Sequence, residues 1–386
     1  MASSPSHFPI RTPPALASLT QRIAERFGVN SVVTMRVFRK PRTRNWLISR
    51  PIFESIENAD ALATLLDMTK RLKPDEYLQA AEILKAGGTV VIPTETVYGI
   101  GADATSEMAI KAIFAAKGRP SDNPLIIHLR FPDQLQKYCR NIPKIAYRFI
   151  EVFCPGPLTL VLPKKSMIVD GVTAGLDTVA VRFPSHLTAQ KILEATGLPI
   201  AAPSANLSGR PSATTWQAAI EDLDGRVDAV VCDFPTEIGL ESTVVDLSVD
   251  IPVILRSGAI TLEQLRSIEP SIAMRTNSSY HHVNSPGLRH KHYQPRARVV
   301  LCDSASQMDA NPQEKVAYIG LELLNSTLTI AMSHPCVDLV EYARTLFDFF
   351  RQCDAASINT IWCQRVDETG LGCAIMDRLR RAAETD

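Results

Sequence analysis

Residues 74–101 read PDEYLQAAEILKAGGTVVIPTETVYGIG. The apolar spacing predicts a helix over Pro74–Lys85, and the pair Gly87-Gly88 ends it because glycine often follows the last helical residue. The run Thr89–Ile92 is rich in β-branched side chains and predicts a buried strand that stops at Pro93. A helix that runs directly into a buried strand is typical of an α/β fold.

The same alternation continues through the next 180 residues. Short apolar runs predict strands at 125–129, 158–162, 179–183, 200–202, 229–232, 243–247 and 253–255. Helical patterns separate several of them, at 106–117, 142–153, 187–196, 215–223 and 261–268. Strands that are buried on both faces have this pattern in α/β sheets. We therefore predict one α/β catalytic domain over residues 68–273.

A second, smaller α/β unit follows a break in the pattern. Residues 274–297 lack periodicity and predict an extended interdomain linker. Beyond it we predict strands at 298–301, 316–319, 328–332 and 358–363, with helices near 337–353 and 372–383. This alternation indicates a small Rossmann-like layer fold over residues 298–386.

The first 67 residues form a basic N-terminal extension of different composition. The first 50 contain eight arginines and Lys40 but one acid, Glu25. Apolar side chains at near-helical spacing beside arginines are typical of an organelle transit segment. The alternative is a disordered extension upstream of a functional start at Met68. We expect a cytoplasmic protein, or an organellar one if residues 1–50 are a transit segment.

Composition excludes several classes of function. The chain has 386 residues, of which 45% are hydrophobic and 21% charged, as in a globular protein of two domains. Basic and acidic residues are equal at 41 each, so any RNA contact should be weak and local. No apolar run reaches the length of a membrane span. The eight cysteines contain no Cys-x-x-Cys pair and indicate reduced core thiols, so we predict no metal site built by the protein.

Polar groups follow the first predicted strand. Residues 93–101 place two hydroxyls, a carboxylate and a phenol where α/β folds build ligand crevices, although a plain polar loop is the alternative. The spacing Gly99-x-Gly101-x-x-Ala104 matches a dinucleotide-binding pattern by letter. It lies too far from the strand end and lacks the acidic partner, so we do not predict nicotinamide binding.

Two further motifs carry charge or hydrogen-bonding groups. Lys117 and Arg119 flank a turn at Gly118, so both could enter one cavity and stabilise phosphate, or they could only cap the helix. His128 lies within an apolar run and could be a core histidine or a site residue. Ser204 and Asn206 follow another strand on one side. The chain has no Gly-x-Ser-x-Gly elbow and no P-loop.

The order of these motifs resembles that of the YrdC-type threonylcarbamoyl-AMP synthases. The matching stretches are Pro93–Gly101, Lys117–Pro120, Asn123–Leu125, Pro155–Thr159, Val181–Pro184, Ala202–Asn206, Glu241–Asp246 and Ile254–Gly258. The stretches Ser285–Pro295 and Gly370–Leu379 further resemble the long, two-domain form of the family. The resemblance runs from about Lys73 to the C-terminus and leaves residues 1 to about 70 outside.

The resemblance implies a fold and a reaction. The fold would be a YrdC-like twisted mixed sheet with helices enclosing a basic cavity, joined to the small Rossmann-like domain. The enzyme, a nucleotidyltransferase, would convert L-threonine, bicarbonate and ATP to threonylcarbamoyl-AMP and pyrophosphate, for modification of the tRNA adenosine beside the anticodon. ATP would be a substrate carrying Mg²⁺, with no tightly bound cofactor, and the product would pass to a tRNA threonylcarbamoyltransferase machinery. The alternative is a non-catalytic module that binds structured RNA.

The resemblance also implies roles for individual residues. The implied catalytic residues are Lys117, Arg119, Ser204 and Asn206. The implied L-threonine-binding residues are Thr96, His128, Arg182, Ala202 and Ser242. The implied ATP-binding residues are Arg119, Asn123, Thr178, Ser204, Ser212, Arg256 and Tyr293. Because Tyr293 lies in the linker, we hypothesise that the linker closes over the cavity as a lid.

Overall fold

The computed structural model describes residues 37–39, 46–48, 69–275, 293–308, 314–324 and 330–384. The chain divides into two units, Met1–Met68 and Thr69–Asp386. In the first unit, strands β1 (Val37–Arg39) and β2 (Trp46–Ile48) pair antiparallel. The predictions of a transit segment or of disorder for residues 1–67 otherwise fall outside the described residues.

The second unit contains the remaining helices and strands. Its strands are β3 (Lys70–Leu72), β4 (Val90–Ile92), β5 (Gly99–Asp103), β6 (Ile126–His128), β7 (Leu158–Pro163), β8 (Thr178–Arg182), β9 (Ile200–Ala201), β10 (Ala229–Val231), β11 (Thr243–Asp246), β12 (Val253–Arg256), β13 (Ala273–Met274), β14 (Arg298–Cys302), β15 (Val316–Gly320), β16 (Met332–Pro335) and β17 (Thr360–Gln364). Its helices are α1 (Tyr77–Lys85), α2 (Glu107–Lys117), α3 (Leu135–Tyr138), α4 (Lys144–Phe153), α5 (Asp170–Thr173), α6 (Leu187–Thr196), α7 (Trp216–Leu223), α8 (Leu262–Arg266), α9 (Leu339–Ala355) and α10 (Leu371–Ala383). Within these described segments, no helix has the length and apolar character that a membrane span needs.

Strands β3 to β13 form one mixed sheet, in the order β13-β12-β11-β7-β8-β6-β9-β5-β4-β10-β3. Parallel pairs such as β6 with β8 alternate with antiparallel pairs such as β7 with β8. Most of its strand residues are buried, and helices α2 and α4 pack in the principal hydrophobic core. The mixed α/β architecture predicted for this region is therefore confirmed.

Strand β5 is not predicted by the sequence pattern. Its sequence, GIGAD, has two glycines and no β-branched run, which favours a loop over a strand. The structure instead pairs β5 with β4 and β9. A Cβ at Gly101 would lie 2.9 Å from a methyl group of Ile200 and 3.2 Å from the carbonyl oxygen of Val90. Glycine is needed here because the neighbouring strands leave no room for a side chain.

The described residues after 293 form a parallel sheet in the order β14-β17-β15-β16. Helices α9 and α10 supply most of the apolar side chains of its core. This layer confirms the predicted small Rossmann-like domain. The predicted strand at 328–332 lies partly outside the described residues, and within them only Met332 belongs to the pairing strand Met332–Pro335. The short strands β3 and β13 were not predicted.

The segment Gly239–Ser242 joins the cores of the two sheets. A Cβ at Gly239 would collide with the backbone of Ala343 and Arg344 in α9, and Leu240 is buried within the C-terminal core. Nearby, Arg351 of α9 reaches Asp222 of α7 at 2.8 Å. Arg351 is 6% exposed and Asp222 3%, so this ion pair is buried between the two parts.

Replacing Arg351 should therefore weaken the protein strongly. We expect Arg351→Met to lower the free energy of unfolding by about 1–3 kcal/mol, because Asp222 would keep Arg210 as a partner but lose its buried cation, and the carbonyl of Pro211 would lose its donor. The matched control is Arg380→Met, because Arg380 pairs with Glu368 while both are about half exposed. The control should cost no more than about 1 kcal/mol. Urea denaturation measures both, and equal losses would show that the Arg351 pair is not important for stability.

Candidate active site

The sheet brings the predicted threonine-binding residues to one edge. Strands β6 and β8 are parallel and end with His128 opposite Arg182. On the other side of β8, Thr159 of β7 pairs with Arg182. Ala202 follows β9, and Arg256 ends β12. Strand ends that meet at one edge of a mixed sheet create a crevice for a ligand.

A cavity of about 590 Å³, partly open to solvent, lies at this edge. Its lining includes ten of the predicted site residues: Thr96, Arg119, His128, Arg182, Ala202, Ser204, Asn206, Ser242, Arg256 and Tyr293.

The cavity is basic. Arg119, Arg182 and Arg256 line it, and Glu241 is the one carboxylate among the described lining residues. Burial lowers the pKa of Arg119 to about 10, so its side chain stays charged at neutral pH. Within the described residues, the Nε atom of Arg119 is buried without a hydrogen-bond partner. A buried unpaired donor on a cation indicates that an anionic ligand belongs there.

Arg182 organises one wall of the cavity. Its Nη2 atom lies 2.7 Å from Glu95 Oε1, and its Nη1 donates to the hydroxyl of Thr96 at 2.8 Å. Burial and the charge of Arg182 lower the pKa of His128 to about 3. His128 is therefore neutral at physiological pH. Its Nδ1 atom is buried and has no partner in the part of the chain that the structure describes.

Lys117 supports the loop that carries Ser204 and Asn206. Its Nζ donates to the backbone carbonyls of both residues, at 2.6 Å for Asn206. Burial and the nearby Arg119 lower the pKa of Lys117 well below its ordinary value. The amide nitrogen of Asn206 donates to the carbonyls of Leu207 and Arg210, which turns its Oδ1 away from these partners.

Ser242 is held from two sides. Its hydroxyl lies 2.7 Å from that of Thr159, and Nη2 of Arg256 donates to it at 3.2 Å. The Nε atom of Arg256 also donates to the carbonyl of Ser242, at 3.1 Å. These contacts fix the guanidinium of Arg256 against the backbone at the start of β11.

Four predicted site residues do not line the cavity as the described residues define it: Lys117, Asn123, Thr178 and Ser212. Lys117 lies directly beneath the lining loop, and Asn123 is buried in the turn after Arg119. The hydroxyl of Ser212 donates to Glu241. Thr178 begins β8, so it lies about 13 Å along the strand from Arg182.

Tyr293 reaches the cavity from the linker. Its ring stacks on Phe347 of α9 with a centroid distance of 5.1 Å, and its φ of +68° is rare for a bulky residue. The guanidinium of Arg378 lies 5.5 Å from the ring centroid. The lid hypothesis concerns chiefly residues 276–292, which lie outside the described residues.

Three residues that contribute to the site were not assigned roles from the sequence. Glu95 pairs with Arg182, Thr159 orients Ser242, and Glu241 lines the cavity. All three lie inside quoted motifs, but a motif gives the order of residues and not which side chains meet. Register between β7 and β8 is the information needed to place Thr159.

The fold and the cavity define an α/β protein with a basic crevice that suits an anionic ligand. A family model described as "Telomere recombination" matches residues 82–258, and one described as "Threonylcarbamoyl-AMP synthase, C-terminal domain" matches residues 260–384. The threonylcarbamoyl-AMP synthase of Pyrococcus abyssi is 38% identical over 333 residues, which cover 83% of this chain and 98% of that protein. The Bacillus subtilis protein of the same name is 40% identical, over 82% and 96%.

Solved structures agree with these matches. The crystal structure of P. abyssi Sua5 complexed with L-threonine superposes with a TM-score of 0.75 at 37% identity, over 82% of this chain and 97% of that chain. A second structure, of a variant of the same protein with two alanine substitutions, gives a TM-score of 0.74. The chain belongs to the threonylcarbamoyl-AMP synthase family.

The lowered pKa of His128 predicts a pH-dependent contribution to stability. His128 is neutral in the folded protein down to about pH 3 but takes up a proton near 6.5 when unfolded. As pH falls from 6.5 toward 3, only the unfolded chain gains this proton, so the free energy of unfolding decreases. We expect His128→Gln to reduce the slope of unfolding free energy against pH in this window, by at most about 1.4 kcal/mol per pH unit. Urea denaturation at several pH values measures the slope. Parallel curves would contradict a buried neutral His128.

Proposed function

We propose that this protein is an L-threonylcarbamoyladenylate synthase, a nucleotidyltransferase that makes threonylcarbamoyl-AMP for tRNA modification. The observation that carries the proposal is the single cavity in which three arginines meet buried polar atoms that lack partners among the described residues. The relatives of this chain are named for that activity. L-Threonine, bicarbonate and ATP are the proposed substrates.

The wall around Arg182 suits the amino acid. A threonine carboxylate would lie against the Arg182 guanidinium, which Glu95 and Thr96 already orient. His128 would accept a hydrogen bond at Nδ1 rather than a proton, because a group with a pKa of about 3 is a weak base. The carbonyl of Ala202 and the hydroxyl of Ser242 complete the proposed threonine site. P. abyssi Sua5, whose structure contains L-threonine, supports this assignment.

The lining residues around Arg119 and Arg256 suit the nucleotide, and we call them the nucleotide wall. Arg119, Arg256 and Tyr293 line it together with Ser204. We assign Arg119 and Arg256 to the phosphates and Tyr293 to the nucleoside. Asn123, Thr178 and Ser212 remain proposed ATP residues by resemblance alone, since they do not line the cavity that the described residues form.

The reaction needs positioning and charge stabilisation more than a strong base. The threonine amine forms a bond to the carbon of bicarbonate, with loss of water, and gives a carbamate. A carbamate oxygen then attacks the α-phosphorus, and the bond to pyrophosphate breaks. Arg119, Ser204 and Asn206 would surround the reacting groups, and Lys117 would hold the loop that carries two of them. Holding anionic partners together in one cavity supplies most of the rate in such transfers.

Magnesium would enter with ATP. Mg²⁺ usually binds through substrate phosphates and few protein groups, so we propose that it bridges the triphosphate. Among the described residues, no group of three or more His, Cys, Asp or Glu side chains could hold a metal ion. We further propose that a tRNA threonylcarbamoyltransferase machinery uses the product, and that the enzyme works in the cytoplasm.

Arg119→Ala should abolish most of the activity. We expect kcat/KM for threonine- and bicarbonate-dependent pyrophosphate release to fall about 100-fold, the scale of losing one donor to developing charge. Labelled threonine identifies threonylcarbamoyl-AMP as the product. The control is Arg140→Ala, since Arg140 is exposed and its side chain donates to the backbone carbonyl of Lys164 away from the cavity lining. An unchanged rate in Arg119→Ala would contradict the site assignment.

The same assay separates the enzyme from a structured-RNA-binding module. An RNA-binding module would give no adenylate product and an RNA affinity that falls steeply with salt. Equal numbers of basic and acidic residues do not favour that alternative. Bicarbonate-dependent product formation without added RNA would reject it.

A further inference from the structure

The segment Gly239–Ser242 contributes both to the C-terminal core and to the lining of the cavity. Leu240 is fully buried in the C-terminal core, whereas its neighbours Glu241 and Ser242 line the cavity. Gly239 packs against the backbone of α9. The position of the C-terminal domain is thereby linked to the cavity wall within four residues.

Arg378 of α10 meets this segment at Glu241. Its Nε donates to Glu241 Oε2 at 2.9 Å, and its Nη1 donates to Asp377 at 2.6 Å. Arg378 is 0% exposed and Glu241 7%, so the pair is shielded from water. The other oxygen of Glu241 accepts a hydrogen bond from Ser212. Both carboxylate oxygens are therefore engaged by donors of the protein itself.

Glu241 would disturb the nucleotide wall if it were not engaged. It is the one carboxylate among the described lining residues, and a free carboxylate would repel the phosphates of ATP. Glu241 also interacts electrostatically with Arg256, which we assign to those phosphates. Burial opposes ionisation of Glu241, but Arg378, Arg256 and Ser212 together lower its pKa, so it is charged at neutral pH. A charged Glu241 that lost Arg378 would keep Arg256 as the other cation with which it interacts.

We propose that Arg378 is a positioning residue for ATP: by pairing with Glu241 from the C-terminal domain, it keeps Arg256 available to the nucleotide phosphates. This inference rests on the proposed synthase function. Arg378 also packs against Tyr293, which lines the same side of the cavity. The C-terminal domain thus acts on the nucleotide wall, whereas Thr96, His128 and Arg182 of the threonine wall are held by β6, β8 and the loop after β4.

A positioning role predicts that the KM for ATP and the KM for threonine respond differently to the loss of Arg378. A purely structural role does not predict this difference. We expect Arg378→Met to raise the KM for ATP about 10-fold or more, because ground-state binding of the phosphates is weakened. The KM for threonine should stay within about 3-fold, because Thr96, His128 and Arg182 are held by other strands and Ser242 also bonds to Thr159. Simple loss of folded protein would instead lower the apparent kcat and leave both KM values unchanged.

The double variant Arg378→Met/Glu241→Gln tests whether the effect of Arg378 on ATP binding depends on the charge of Glu241. Glu241→Gln keeps a carbonyl oxygen to accept from Ser212 but removes the charge that attracts Arg256. We therefore expect the KM for ATP of Arg378→Met/Glu241→Gln to return to within about 3-fold of the unchanged protein. Arg380→Met is the control on the same helix, since Arg380 pairs with Glu368 at the surface. It should leave both KM values unchanged.

These measurements distinguish failure of the proposed synthase function from failure of the positioning role of Arg378. If the unchanged protein forms no threonylcarbamoyl-AMP, the proposed function fails. If it does, but Arg378→Met lowers only the fraction of folded enzyme, the positioning role is rejected. A double variant no better than Arg378→Met also rejects it, because the defect would then not pass through Glu241. Recovery of ATP binding in the double variant, with the folded fraction measured by thermal unfolding, supports it.

Discussion

The site depends on keeping three arginines charged in one partly enclosed cavity. Moving a cation out of water is costly, and neighbouring cations repel, so each guanidinium needs compensation from the protein or a ligand. Arg182 has Glu95 as a close partner, whereas Arg256 makes two hydrogen bonds to Ser242. Arg119 donates one long hydrogen bond, 3.4 Å, to the carbonyl of Pro124, and its Nε has no partner among the described residues. Arg119 is therefore the least compensated, which makes it the strongest candidate to meet charge on the substrate.

The mixed order of the sheet explains how distant residues reach this cavity. Parallel pairing of β6 and β8 sets His128 beside Arg182, and antiparallel β7 brings Thr159 to the same place from the opposite direction. Strand β11 then starts beside β7, which places Ser242 at the same edge. A purely parallel sheet would contribute only strand ends of one kind. Here, starts and ends of strands meet, so side chains from both strand directions line one cavity.

The layers of the fold could be predicted from the sequence, because buried parallel strands are short apolar runs between helical patterns. Strand β5 could not, since its glycines reflect crowding by neighbouring strands and not a turn. The convergence of ten of the fourteen predicted site residues on one cavity could be predicted, because the family motifs follow strand ends. Thr178 was assigned by resemblance, and the structure places it at the start of β8 instead of with Arg182. Contacts between far-separated charges, such as Arg378 with Glu241, depend on how two domains dock, and no local pattern encodes this.

The C-terminal domain contributes directly to the structure of the cavity. Leu240 belongs to the C-terminal core and Ser242 to the cavity, and a carboxylate lies between them with its two oxygens bound to Arg378 and Ser212. Separating the domains would expose Leu240 and leave a buried acid without its closest cation, so the docked arrangement and an ordered nucleotide wall stabilise each other. The contacts that hold Arg182 and His128 in the threonine wall come from the mixed sheet and the loop after β4. The proposed nucleotide site is therefore coupled to the C-terminal domain, whereas the proposed amino-acid site shares only Ser242 with the coupled segment.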